Sequence, residues 1–219
     1  MAAIVFDFDG TLADTRRGIL ATAQETLRRM GLPPADETAM AATIGLPLIE
    51  NFTRGVGMSE EEARHAVAIY REIFEEVAVP VIDLFPGVEE TLRTLAERGI
   101  PMAVASSRGQ RSLEMLMQKT GLTAFIPLSC LFGVENAARP KPAPDLMYVI
   151  LGRLGVKPEE TLVVGDTSFD IEMGRNAGCH TCAVTYGNQS ADTLAGAYPD
   201  YIIDDLRKLL TPVPRNAES

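Results

Sequence analysis

The hydrophobic and polar positions along the chain change rhythm once, near residue 85. A short apolar run, Ala3 to Asp7, comes first and predicts a buried strand that ends on a carboxylate. From 15 to about 83 the apolar positions recur at helical spacing and no strand pattern is evident. Arg16 to Met30 reads as a helix with Ile19, Leu20, Ala23, Leu27 and Met30 on one face, stopped by Gly31. Ser59 to Ala78 is the clearest helix. Ser59 and Glu62 form a capping box, and Ala63, Ala66, Val67, Tyr70, Ile73, Phe74 and Val77 share a face. Thr43-Ile-Gly-Leu-Pro47 and Gly55-Val-Gly57 read as breaks.

From Phe85 onward helix and strand alternate. Helices are expected from Pro86-Gly87 to Gly99, from about Gln110 to Gly121, over Pro144–Leu154 and over Phe169–Ala177. Strands are expected over Ile100–Ser106, Thr161–Val164 and Cys182–Val184, and Tyr201–Ile203 with Leu206–Leu210 makes a final short pair. Repeated αβ units predict an α/β fold with a doubly wound parallel sheet. Its core is built from 1–14 and 84–219, with an all-helical insertion over 15–83. The tail after Pro212 is expected to be loose.

Composition narrows the function classes. Hydrophobic residues make up 46% and aromatic ones 6%, which suits an aliphatic α/β core. A net charge of −10 argues against nucleic acid or an anionic membrane as partner. An anionic substrate then needs local positive charge. No apolar run is long enough to span a bilayer, and the N-terminus lacks the basic start of a signal peptide, so a cytoplasmic location is expected. Three cysteines suggest no disulfide framework. Cys179-His-Thr-Cys182 has the spacing of a redox or zinc motif but lacks a second ligand pair, and reads as small thiols entering a strand. His65 lies off its helix's apolar face and reads as solvated.

The candidate chemistry begins at the end of the first strand. Asp7 and Asp9 are two carboxylates that are costly to desolvate without compensation, and a hard divalent cation is the simplest compensation. A calcium loop fails on spacing, because its sixth and twelfth positions counted from Asp7 are Leu12 and Gly18. An Asp-Gly hairpin fails because a helix, not a strand, follows Gly10. Asp7, Ser106 and Asp166 all sit at the carboxyl ends of expected strands, where open α/β sheets bind ligands.

Four separated pieces, Asp7-Phe-Asp9-Gly-Thr11, Ala105-Ser106-Ser107, Lys141-Pro-Ala-Pro144 and Gly165-Asp166-Thr-Ser-Phe-Asp170, together resemble the four motifs of the haloacid dehalogenase-like (HAD) superfamily. The helical insertion resembles that family's type 1 cap. The resemblance implies that Asp7 is a nucleophile forming an aspartyl-phosphate and Asp9 an acid/base. It implies Mg²⁺ held by Asp7, Asp166 and the backbone carbonyl of Asp9, with Asp170 in support. Backbone N–H groups of Gly10, Thr11 and Ser106, with Ser107 beside them, are expected to hold the phosphoryl oxygens, and Lys141 to add fixed charge. Ordinary alternatives stand beside these roles: Ser107 as a helix cap, Lys141 as a surface lysine, Asp166 and Asp170 as an N-cap and a first-turn acid.

Within the resemblance, Asp9 speaks against dehalogenases, which carry an aromatic at that place. The first lysine is Lys119, which closes the cap-lysine route of phosphonate hydrolases. Sugar phosphomutases such as β-phosphoglucomutase place His where this chain has Ile19. The stretch from Asp14 to Ile19 and the Ile44-Gly-Leu-Pro47 loop look more like phosphoglycolate phosphatases, with pyrophosphatase, 5′-nucleotidase and a non-catalytic phosphate-binding regulator as alternatives. The expected partner is a small phosphorylated metabolite. Arg16, Arg17, Arg54 and Arg108 are candidate substrate contacts, since Arg binds carboxylate or phosphate bidentately. Hinges are expected near 14–16 and 83–87.

Overall fold

The computed structural model describes residues 1–211. A central strand β1 (Ala3–Phe6) is followed by β2 (Ala13–Asp14) and the helices α1 (Arg16–Arg29), α2 (Glu37–Ala41), α3 (Leu48–Glu50) and α4 (Glu60–Val77). The chain then returns through β3 (Asp83–Leu84) and alternates: α5 (Val88–Glu97), β4 (Met102–Ala105), α6 (Gln110–Lys119), β5 (Leu131–Phe132), α7 (Asp145–Leu154), β6 (Thr161–Gly165), α8 (Ser168–Asn176), β7 (His180–Val184), α9 (Ala191–Ala195) and β8 (Tyr201–Ile203).

Six strands form one sheet in the order β5-β4-β1-β6-β7-β8, every pair parallel, as the alternating pattern predicts. Each residue of β1, β4 and β6 is buried, as strands covered on both faces require. Their side chains divide with period two. Ile4, Phe6, Met102, Val104, Leu162 and Val164 join α5 and α6 on one face, while Val5, Ala103, Ala105 and Val163 join α7 and α8 on the other. From β1 the chain winds outward to β4 and β5, then crosses back to β6 on β1's other side. That reversal opens a crevice beyond the carboxyl ends of β1, β4 and β6, where Asp7, Ser106 and Asp166 follow.

The insertion is helical apart from its edges. Ala13 pairs with Leu84 and Asp14 with Asp83, so the two crossings form a short antiparallel ribbon that the helical periodicity did not reveal. In α4 the Ser59–Glu62 capping box and the buried face Ala63, Ala66, Tyr70, Ile73 and Phe74 match expectation. Gly55-Val-Gly57 departs from it. Gly55 and Val56 lie inside a π-helical turn over Asn51–Val56, and only Gly57, at φ 83°, ends the element. Strand β5 and helix α9 are too short to leave a periodic signal. The expectation for the tail after Pro212 lies outside the described residues. No helix among the described residues is long and apolar enough to cross a membrane.

Candidate active site

Three carboxylates meet in the crevice. Asp7, Asp166 and Asp170 are each at most 7% exposed, and one oxygen from each lies within 4.8 Å of the others. Lys141 reaches them from the loop before α7. Its Nζ donates to Asp7 Oδ1 at 2.7 Å, Asp170 Oδ1 at 2.5 Å and the Ala105 carbonyl at 2.8 Å, which uses all three of its protons. Lys141 is therefore no surface lysine. Burial works against its charge, but Asp170 and Asp7 more than offset this and raise its pKa.

One ammonium does not neutralise three buried carboxylates. Burial holds the Asp7 carboxyl well above the ordinary range, against the pull of Lys141. Asp166 is raised to about 7, first by burial and then by the Asp170 charge, although Asn188 and Thr11 bond it. Crowded oxygen donors short of positive charge suit a hard divalent cation. The residues present fit such an ion, and Asp7, Asp166 and Asp170 are those that would hold it. The Asp9 carbonyl adjoins them, since Asn188 Nδ2 donates to it at 3.3 Å and to Asp166 Oδ2 at 2.9 Å. The Asp9 carboxylate belongs to a different contact, a bidentate pair with Arg108.

Local structure explains the placement. Gly10 adopts φ +89°, and a Cβ there would collide with the side chains of Asp166 and Asn188. Asp170 sits in the first turn of α8, where its Oδ2 accepts Thr167 N–H at 3.1 Å and Thr167 Oγ at 2.6 Å. The ordinary reading of Asp170 as a first-turn acid is thus correct, but the same carboxylate also holds Lys141.

The expected phosphoryl donors need correction. Gly10 N–H donates to the Ala13 carbonyl and Ser106 N–H to the Phe132 carbonyl, so neither is free. Among the described residues the N–H groups of Phe8, Thr11 and Ser107 have no partner, and they border the loop after Asp7 and the end of β4. Ser106 Oγ accepts from Arg108 N–H, which leaves its proton to donate. Ser107 does not cap α6, whose N-cap is Gly109; its hydroxyl donates to the Gly45 carbonyl of the insertion at 2.5 Å.

Of the candidate arginines, only Arg108 enters the site. Arg54 is 65% exposed and paired with Glu50. Arg16 and Arg17 are exposed and line an open groove of about 370 Å³ with Asp14, Leu20, Glu37 and Thr38, without a bond to the carboxylates. Cys179 and Cys182 are unpaired and buried, with thiols pushed up to about 11 and about 12 by burial, as their reading as packing residues implies. His65 is exposed. Sequence reading missed Asn188, whose N–H and Nδ2 both bond Asp166 Oδ2. Its signal was available, because Tyr186-Gly-Asn188 is a turn just past the carboxyl end of β7.

The profile of the haloacid dehalogenase-like hydrolases matches residues 4–184. The chain is 35% identical over 211 residues to the "Probable phosphatase IndB" of Dickeya dadantii, covering 94% of this chain and 91% of that one. It is 32% identical over 214 residues to a phosphoglycolate phosphatase of Pectobacterium atrosepticum (94% and 90% covered). It is 30% identical over 210 residues to the pyrophosphatase PpaX of Oceanobacillus iheyensis (96% and 95%). Among solved structures, a haloacid dehalogenase-like family hydrolase of Streptococcus pneumoniae superposes with a TM-score of 0.85 at 25% identity, covering 96% of this chain and 97% of that one.

Proposed function

The chain belongs to the haloacid dehalogenase-like hydrolase family, and we propose that it is a Mg²⁺-dependent phosphatase that cleaves a small phosphomonoester through an aspartyl-phosphate on Asp7. The observation that carries this reading is the state of Asp7. Lys141 holds its Oδ1, while no described residue bonds Oδ2, so one oxygen is fixed and the other is free to attack.

Asp7 Oδ2 attacks phosphorus, and the bond from phosphorus to the ester oxygen breaks as that oxygen takes a proton from Asp9. Asp9 then takes a proton from water, whose oxygen displaces Asp7 from phosphorus and releases phosphate. Lys141 keeps Asp7 in position and supplies charge beside the transferred group. Ser106 Oγ and the N–H groups of Phe8, Thr11 and Ser107 receive the phosphoryl oxygens. Mg²⁺ bound by Asp7, Asp166, the Asp9 carbonyl and Asp170 would supply electrostatic stabilisation of the phosphoryl charge. The helices over 15–83 act as a cap that closes over the crevice, and the β2–β3 ribbon marks its hinge. Free thiols at Cys130, Cys179 and Cys182 accord with a cytoplasmic enzyme.

Phosphoglycolate is the preferred substrate of this reading, supported by the Pectobacterium relative, and pyrophosphate is the second, supported by the Oceanobacillus one. A non-catalytic regulator fits less well, since Asp7 and Asp9 are both present. The test is phosphate release with Mg²⁺ across phosphoglycolate, pyrophosphate, nucleoside monophosphates and sugar phosphates. Turnover of phosphoglycolate or pyrophosphate, lost in EDTA and in Asp7→Asn, is expected. Substantial turnover by Asp7→Asn, or indifference to EDTA, would overturn the reading.

A further inference from the structure

The carboxylate chemistry leaves Arg108 without a task. Its side chain is only 9% exposed. Nε donates to Asp9 Oδ2 at 3.1 Å, Nη2 to Asp9 Oδ1 at 2.5 Å, and Nη1 to Ser112 Oγ at 3.1 Å. The guanidinium carbon lies 4.7 Å from the ring centroid of Phe74 on α4, and Tyr70 stacks on that ring. The pair is therefore shut between the end of β4 and the insertion. Each oxygen of Asp9 accepts one guanidinium proton and keeps a lone pair, so Asp9 can turn fully toward a substrate oxygen only as the pair opens.

Opening it strands a buried cation. Asp7, the other carboxylate acting on Arg108, is already held by Lys141. Breaking one side of a buried ion pair is strongly unfavourable unless another anion takes the vacated place. The guanidinium fork can donate bidentately to either a carboxylate or a phosphate, and the Phe74 ring, with Tyr70 stacked on it, covers one face of it.

We propose that Arg108 is a specificity-determining residue that exchanges Asp9 for a second anionic group on the leaving portion of the substrate. Asp9 is released for chemistry only when the substrate carries a carboxylate or a second phosphate next to its leaving oxygen. This rests on the phosphatase reading above.

The test compares kcat/KM, with Mg²⁺, for phosphoglycolate, its uncharged carboxamide analogue, pyrophosphate and p-nitrophenyl phosphate, whose phenolate leaves without a proton. The wild-type protein should favour phosphoglycolate over the carboxamide by about 100-fold or more, the scale of an uncompensated buried charge. In Arg108→Ala that ratio should collapse to within about tenfold. Arg108→Lys, which keeps the charge without the fork, should lie between, and it carries the test if the alanine variant does not fold. Whichever of phosphoglycolate and pyrophosphate loses more identifies the second anion as carboxylate or phosphate. An unchanged ratio in a folded variant that still turns over p-nitrophenyl phosphate overturns the proposal and leaves the phosphatase reading standing. No Mg²⁺-dependent turnover of any of the four by the wild-type protein overturns that reading, and this proposal with it.

Discussion

Asp166 is a buried residue that would couple the fold to a bound metal. Its folded pKa of about 7 exceeds the ordinary 3.8 chiefly because burial disfavours the charge. Without metal, the folded protein keeps a proton there that the unfolded chain has already lost. This contribution to stability is therefore present at low pH and is lost as pH rises from about 4 through about 7. A cation reverses the balance by displacing the proton. Titration calorimetry should show tighter Mg²⁺ binding at pH 8 than at pH 6, with proton release at pH 6 measured as a dependence on buffer ionisation enthalpy. Equal affinity at both pH values would contradict the assignment of Asp166. At this scale the placement of Asp7 and Asp166 at strand ends was legible from the apolar runs, whereas Lys141, in a loop, stood out only through the motif it resembles. Which side chains pair across long stretches of chain was not legible. Arg108 and Asp9 stand 99 positions apart, and Phe74 reads from its helix as core alone.

The elements most relevant to function are the loops at the strand ends and one loop of the insertion. Gly45 adopts φ +102°, and a Cβ there would press on Thr167 at 3.0 Å, so this loop sits directly on the start of α8. Ser107 fastens the other side of the loop. Ser107→Ala removes one neutral hydrogen bond, and a loss of about 3- to 10-fold in kcat/KM is expected, mostly in KM. A loss of about 100-fold or more in kcat would instead mean that the hydroxyl holds the reacting phosphoryl group. Long elements with a strong period, such as α4 and β6, were readable because burial imposes the pattern directly. β5, α9 and the π-helical turn were not, because a few residues at most one or two turns long give periodicity nothing to repeat.

Across the whole molecule, a doubly wound sheet places the buried carboxylates where its winding reverses, and a loop of the helical insertion reaches Ser107 and Thr167 beside them. The net charge of −10 gives the surface no general attraction for a phosphorylated ligand. Attraction has to come from the crevice, where Lys141 and Arg108 are buried and aimed inward. In the proposed mechanism one of these cations serves Asp7 and the other selects the substrate, and the carboxylates would hold a divalent ion. Everything turns on covalent attack by Asp7. The most direct measurement is a rapid acid quench during turnover of a substrate labelled in its phosphoryl group with Mg²⁺ present, followed by peptide mapping. The account predicts label on the peptide carrying Asp7, gone after a chase with unlabelled substrate and never formed by Asp7→Asn. Steady turnover with no labelled Asp7 at any quench time, or label on another residue, would contradict it.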